Sequence, residues 1–277
     1  MGAGTLYIVA TPIGNLEDIT LRAIRVLKTV DLIAAEDTRR SARLLHHYQI
    51  STKMTSYHDF TDTKKRKSIL HKILSGNDVA LISDAGTPGI SDPGYRLIVE
   101  ALSEAIEVHA VPGPSVLTAA LSVSGLPTDR FYFCGFLPKR SGPRKTRLRS
   151  LGSRTETLVC YESPHRILAT LKEMKEILAS RKIAVFREMT KLHEEVYRGS
   201  LEGALDHFRD REKIRGEFTL VLEGNRKNPR RGEKADLQKA LREVIQREKV
   251  TRKDAVRIVS ETFGLPKKEV YRESLKK

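Results

Sequence analysis

The chain has 277 residues, 39% of them hydrophobic and 31% charged, which is enough for two ordinary cores. No apolar run approaches the ~18 residues of a membrane span and no leader pattern opens the chain, so a soluble cytoplasmic protein without a membrane partner is expected. The formal charge of +15 is concentrated, with seven basic and no acidic residues in 139–154 and seventeen basic against eight acidic in 226–277, the usual footprint of a phosphate-rich partner, although a solvated lysine-rich surface is the plain alternative.

In chain order, residues 5–10 (T-L-Y-I-V-A) read as a strand that breaks at Thr11-Pro12-Ile13-Gly14-Asn15. The earlier Gly2-Ala3-Gly4 precedes the strand and is no dinucleotide fingerprint, which needs its glycines between strand and helix. Asp18 is expected to cap a helix through Val30 with Ile19, Leu21, Ile24 and Leu27 on one face. Residues 31–35 form a second strand ending in Glu36, Asp37, Thr38, Arg39 and Arg40, charges that are either active-site groups or caps of the helix at 40–48. A basic helix at 61–74 leads into the apolar run Val79, Ala80, Leu81, Ile82.

That run meets S-D-A-G-T-P-G-I-S-D-P-G at 83–94, which cannot continue a strand or enter a helix interior. Apolar residues at 95, 97, 98, 101, 102 and 105 then predict a one-sided helix. In open α/β sheets the ligand crevice lies beyond the carboxyl ends of the strands, so this loop is the first candidate for a cofactor site; a tight turn is the alternative. A strand at 106–111 closed by Pro112-Gly113-Pro114 feeds a small-residue helix at 115–124, expected beneath the sheet as a second wall for the same ligand.

Gly125-Leu126-Pro127 marks the end of this domain. Beyond it come a strand (131–136), a basic loop (138–154), a strand (157–161), a helix (164–179), strands at 183–187 and 194–198, a helix (201–209) and a strand (217–223), a mixture implying some antiparallel pairing. After a basic linker at 224–235, helices at 236–248, 251–263 and 267–275 suit a helix-turn-helix-like module or a helical cap. The expected domains are 1–122, 123–228 and 229–277.

No nucleophile elbow, metal-ligand cluster or Gly-Lys-Ser/Thr phosphate loop is present, and Cys134 and Cys160 lie in apolar runs as reduced thiols, so no metal is expected. Methyl transfer from a sulfonium donor suits such an inventory, because the cofactor brings its own leaving group and the protein mainly aligns the reactants.

A-T-P-I-G-N-L at 10–16, A-E-D-T-R at 35–39, the loop at 83–94, V-P-G-P-S at 111–115 and G-E-F-T-L-V-L-E-G at 216–224 together resemble the ribosomal RNA small subunit methyltransferase I family of the tetrapyrrole methylase superfamily. The resemblance implies two α/β domains with S-adenosylmethionine in the cleft between them, a small C-terminal helical module, methylation of a cytidine ribose 2′-hydroxyl in the decoding region of 16S rRNA, and a homodimer. It carries over Pro12, Asp84, Gly86, Thr87, Ser115, Val116, Tyr161, Glu162 and Met189 as cofactor contacts. The first loop is less glycine-rich than in the porphyrin and corrin enzymes and the second has S-D-A-G for G-D-P, which argues against a macrocycle substrate.

A ribose hydroxyl has a high pKa and needs a base or a polarising group. Glu36, Asp37 and Asp84 are the candidates, with Arg39 as a phosphate or carboxylate partner and Arg144, Lys145, Arg147 and Arg149 as the expected RNA contact. Competing readings are a methylase of a tetrapyrrole or other small molecule, and a non-catalytic ribosome-assembly factor with a vestigial pocket.

Overall fold

The fold is seen in a computed structural model that describes residues 2–59, 61–178, 181–211, 213–225, 234–248, 250–263 and 267–275. Its first half runs β1 (Thr5–Val9), α1 (Leu21–Thr29), β2 (Leu32–Ala35), α2 (Thr38–His47), β3 (Met54–Ser56), α3 (Thr63–Leu74), β4 (Val79–Ile82), α4 (Tyr95–Ser103), β5 (Glu107–Val111) and α5 (Val116–Ser122). The strands pair in the order β3-β2-β4-β1-β5, all parallel. Helices cover both faces, so all of Val79–Ile82 is buried and the run is continuously apolar. Leu6, Ile8 and Leu81 face Ile69, Ile73 and Leu97 on one side. Val9, Ile33 and Ile82 face Ala23, Leu27 and Leu44 on the other, the two-residue alternation of a pleated strand.

Parallel pairing brings the loops after β1, β2, β4 and β5 to one edge, and β1 lies between β4 and β5, so their three loops are neighbours. Two local expectations are corrected. Leu16–Asp18 forms a single 3-10 turn, and Thr20 caps α1 in place of Asp18, its hydroxyl accepting from Ala23 N–H at 3.1 Å. The three-residue edge strand β3 has no counterpart among the expected elements.

The second half runs β6 (Phe131–Phe136), α6 (Ser141–Leu151), β7 (Thr157–Glu162), α7 (Ile167–Leu178), β8 (Lys182–Arg187), β9 (Glu195–Ser200), α8 (Leu201–Arg209) and β10 (Phe218–Leu222). Its order is β6-β7-β10-β8-β9, with β6–β7 parallel and the other pairs antiparallel. One face packs Leu148, Leu171, Phe208 and Phe218 into a core with α6, α7 and α8. The opposite face takes Ala120 and Leu121 of α5 against Val159, Ala184, Phe186 and Val221. Thus α5 packs beneath the second sheet, not the first, and ties the two halves together.

The expected basic loop at 138–154 is largely the helix α6. Its apolar period is hidden because Arg144 fills the buried position one turn before Leu148.

Both sheets fall in one compact unit, residues 1–152 and 156–223, and residues 153–155 with 224–277 form another. The latter holds α9 (Lys234–Glu248), α10 (Arg252–Phe263) and α11 (Lys267–Ser274) around Leu237, Leu241, Ala255, Val256, Val259 and Val270. Thr251 opens α10, its hydroxyl accepting from Asp254 N–H at 3.2 Å and donating to Asp254 Oδ2 at 2.6 Å. Most of the expected linker and the Gly264-Leu265-Pro266 turn lie outside the described residues. Among the described residues no helix is long and apolar enough to cross a membrane, and no cluster of His, Cys, Asp and Glu could hold a metal ion.

Candidate active site

The loops after β1 and β4 are joined by Thr11 N–H to Gly86 O at 2.9 Å and Gly86 N–H to Thr11 O at 3.0 Å. Thr11 Oγ1 also donates to the Ser83 carbonyl at 3.0 Å. Gly86 takes φ +82°, a region open to a residue without Cβ. Its N–H is spent on Thr11, so the amides that can serve a ligand are its neighbours Ala85 and Thr87, which have no protein acceptor among the described residues.

The β1 loop also meets the second sheet. Asn15 N–H donates to Thr190 Oγ1 at 3.2 Å. A Cβ on Gly14 would lie 2.7 Å from that oxygen and 2.9 Å from the Met189 carbonyl, so this approach requires glycine. Ser91 on the first-sheet side (φ 63°) and Thr190 on the second-sheet side (φ 65°) hold left-handed backbone. For a β-branched threonine that conformation is strained, and such strain concentrates where function demands it.

Asp84 links the carboxylates. Its Oδ1 accepts Asp37 N–H at 3.1 Å, its Oδ2 accepts Arg40 Nη1 at 3.0 Å, and its own N–H donates to Glu36 Oε2 at 3.2 Å. The carboxylate of Asp37 is used otherwise: it caps α2, accepting from Arg39 N–H at 2.9 Å, and pairs with the Arg39 guanidinium at 2.9 Å. Hydrogen bonds from Arg39 hold its pKa down to about 2. Asp37 is therefore a helix cap and a poor base, and Arg39 is already its partner.

Burial instead raises the pKa of Glu36, against the opposing hydrogen bond from Asp84 N–H. Asp92, read from sequence only as a turn residue, is pushed by burial up to about 7, with the charges of Glu36 and Asp84 adding and a Ser83 hydrogen bond opposing. Across the cleft, burial and the Asp92 charge push the Tyr161 phenol up to about 12. Asp92 thus lies where the first sheet's loop meets the second sheet.

The carried-over cofactor residues are distributed over the same cleft. Pro12, Asp84, Gly86 and Thr87 stand on the joined loops, and Ser115 opens α5 without a side-chain capping bond, next to Val116. Tyr161 is half-buried and meets Phe133 and Phe136 edge-on, with centroids 5.0 and 5.5 Å away. Met189, like Leu117 and Phe133, packs against the cluster of Ala120, Leu121, Val159 and Phe186. Glu162 is different: its side chain is 0% exposed, with Oε1 on Arg166 at 2.6 Å and Oε2 on Thr170 Oγ1 at 2.7 Å. Its carboxylate serves the β7–α7 junction, leaving only backbone for a ligand.

The expected RNA contact on α6 is mostly committed to the fold. Arg144 is 4% exposed and forks onto Glu173 at 2.7 and 3.0 Å, which removes it from any phosphate surface. Lys145 pairs with Glu176 at 2.8 Å, and Arg147 donates to the Tyr132 hydroxyl at 2.9 Å while lying over its ring. Arg149 is exposed and its guanidinium has no partner among the described residues.

The family model of tetrapyrrole (corrin/porphyrin) methylases matches residues 5–205. Uroporphyrin-III C-methyltransferase from Thermus thermophilus, complexed with S-adenyl homocysteine, superposes with a TM-score of 0.55 at 19% identity, covering 79% of this chain and 97% of that one. A diphthine synthase gives 0.61 at 13% identity, covering 79% and 90%. At these identities the likeness establishes the fold. The ribosomal RNA small subunit methyltransferase I of Halalkalibacterium halodurans is 44% identical over 277 residues, covering 97% of this chain and 93% of the relative. That of Thermotoga maritima is 50% identical over 221 residues, covering 80% and 99%. Whole-length identity at this level, on a tetrapyrrole methylase fold whose characteristic loops converge on one cleft, means that the chain belongs to the ribosomal RNA small subunit methyltransferase I family.

Proposed function

We propose that the protein methylates the ribose 2′-hydroxyl of a cytidine in the decoding region of 16S rRNA, using S-adenosylmethionine and taking the small ribosomal subunit as substrate. The observation that carries this reading is the 40–50% identity, over most or all of the chain, to relatives named as small subunit rRNA methyltransferases. The cleft fits the cofactor: Ala85 and Thr87 offer open amides, and Tyr161 with Phe133 and Phe136 offers an aromatic wall.

The cofactor supplies an electrophilic methyl on a sulfonium centre. The protein's part is to hold the ribose in line and to take the hydroxyl proton as the oxygen–methyl bond forms. In this reading Asp92 accepts that proton, since a pKa of about 7 matches the task. Burial, with the charge of Glu36 adding to it, keeps that carboxyl basic, and Asp84 positions the loop through Asp37 N–H and Arg40. Arg149 and the C-terminal module supply outlying RNA contacts.

The homodimer that the family resemblance implies would form through α4, where Tyr95 (72% exposed), Val99 and Leu102 (58%) make an apolar stripe at helical spacing. Light scattering at micromolar protein should give twice the chain mass, and a monomer there would refute it.

The test of function is methyl incorporation from labelled S-adenosylmethionine into small subunits from a strain lacking the enzyme, beside naked rRNA and a tetrapyrrole precursor. Label on a ribose hydroxyl of the subunit is expected, with Asp92→Asn slowing transfer by about 10²–10⁴-fold. Label on the tetrapyrrole alone would replace the substrate, and no transfer to any of them would favour an assembly factor.

A further inference from the structure

An open cavity of about 450 Å³ adjoins the carried-over cofactor residues, lined by the β1 loop, the first residues of the β4 loop and α2. It shares only Pro12 and Asp84 with them; the rest of its lining includes Ile13, Leu16 and Leu44 as an apolar floor, Arg40 and Arg43 from α2, and Lys191 with Glu217 from the second sheet. Asp84, with the Ala85 amide beside it, therefore belongs both to the cofactor loops and to a cationic chamber. We propose that this chamber seats the substrate strand, with Arg43 as the principal contact to the phosphodiester that flanks the target ribose and Arg40 and Lys191 beside it. The proposal rests on the rRNA-methylating reading and names where the strand is held.

Charge decides what the chamber can take. Arg40 is engaged by Asp84 at 3.0 Å. Lys191 is engaged by Glu188 at 3.0 Å and Glu217 at 2.9 Å. Arg43 is exposed and its guanidinium has no hydrogen bond or ion pair among the described residues. Of the three lining cations, Arg40 and Lys191 are thus answered by carboxylates and Arg43 alone is left to meet an incoming anion. A single uncommitted cation suits a singly charged phosphodiester better than a polycarboxylate macrocycle or a nucleotide polyphosphate. Arg40 and Arg43 are three residues apart and share one face of α2, and the Asp37 cap fixes the start of that helix. The apolar floor gives a base or sugar face somewhere to lie. On the basic helix α6, by contrast, Arg144, Lys145 and Arg147 already have partners.

Arg43→Ala and Arg43→Glu test this, with Arg149→Ala as the competing site. Arg43 is exposed, so the variants should melt with the wild type and keep its S-adenosylmethionine Kd. Arg43→Ala should raise KM for small subunits roughly tenfold, as loss of one charge-assisted contact would, and Arg43→Glu should raise it further. Affinity for a cytidine-containing single-stranded RNA oligonucleotide, read by anisotropy, should fall in parallel, and the slope of log affinity against log salt should flatten by about 0.7. Unchanged KM, oligonucleotide affinity and salt slope in both Arg43 variants would overturn the proposal. So would the same losses appearing in Arg149→Ala instead. The oligonucleotide arm needs no catalysis, so it decides the matter even if the wild type transfers no methyl to rRNA, an outcome that would strike the functional reading separately.

Discussion

Replacing Arg144 by alanine should damage the fold and leave the RNA surface alone. Arg144 and Glu173 are 4% and 8% exposed at their side chains. The guanidinium forks onto both carboxylate oxygens at 2.7 and 3.0 Å and donates to the Lys139 carbonyl at 3.0 Å, while Ser141 Oγ adds a bond to Glu173 at 2.6 Å. Truncation would leave Glu173 between α6 and α7 with only that hydroxyl. An uncompensated buried charge of this kind costs about 3–5 kcal/mol. Burial pushes the Glu173 carboxyl up, but Arg144 and Ser141 outweigh it and hold the pKa below the ordinary 4.5. A depressed carboxyl stabilises the native state above its unfolded value and loses that contribution as pH falls through the native value, so the deficit of Arg144→Ala should be full near neutrality and shrink below about pH 4.5. Urea unfolding at the two pH values measures it through the midpoint, with the slope as a check on the two-state assumption. Replacing both partners by methionine should recover most of the loss, because a buried pair contributes little beyond an apolar one of equal volume. An Arg144→Ala protein within about 1 kcal/mol of wild type but with weakened RNA binding would refute the reasoning and return Arg144 to the RNA surface.

Other perturbations separate the parts of the site. Asp92→Asn removes a carboxyl whose pKa is raised from 3.8 to about 7. A raised carboxyl lowers native stability as pH climbs from its unfolded to its folded value and by a constant amount above that, so the variant should gain about 1 kcal/mol, or ~2–4 °C in Tm, near pH 8 and nothing near pH 4 once solvent screening is allowed for. An equal Tm change at both pH values would dismiss the assignment. Gly14→Ala places a Cβ within 2.9 Å of the Met189 carbonyl and closer still to Thr190, so the β1 loop must retreat from the second sheet. A cost of about 1–3 kcal/mol together with weaker S-adenosylmethionine binding is expected by calorimetry, and no change in either would contradict the close approach. A chain ending at Glu223 keeps the whole compact unit that carries both sheets, and the Thermotoga maritima relative is matched over 99% of its length by 221 residues. That chain should fold and keep its cofactor affinity while its small-subunit affinity and salt slope fall, since residues 226–277 hold seventeen basic and eight acidic residues. Loss of cofactor binding on truncation would mean that the module completes the site.

What could be read from the chain and what could not divides along one physical line. The loops at Thr11-Pro12-Ile13-Gly14 and at 83–94 were legible because glycine and proline report local backbone needs, and parallel pairing gathers strand ends at one edge. The apolar run Val79–Ile82 was legible because a strand covered on both faces has no alternation to hide. A charged residue carries no such local report. The sequence places Arg144 in the densest basic stretch, yet its partner Glu173 lies 29 residues away on another helix. The same buried arginine interrupts the spacing before Leu148 and Leu151 and so conceals α6. Asp37 and Asp84 look alike as strand-end acids, and only the α2 cap separates them. Asp92 gives no such report either, since its pKa is raised first by burial and then by the charges of Glu36 and Asp84, none of which its S-D-P-G context reveals. The small residues of α5 announced close packing but not which sheet would receive it. Density of charge along a sequence therefore measures how many cations a segment owns, whereas a phosphate needs those left uncommitted after folding. By that measure the four α6 candidates reduce to Arg149, since Arg144, Lys145 and Arg147 are already answered, and Arg43, lining an open chamber beside the cofactor loops, is uncommitted to the same degree.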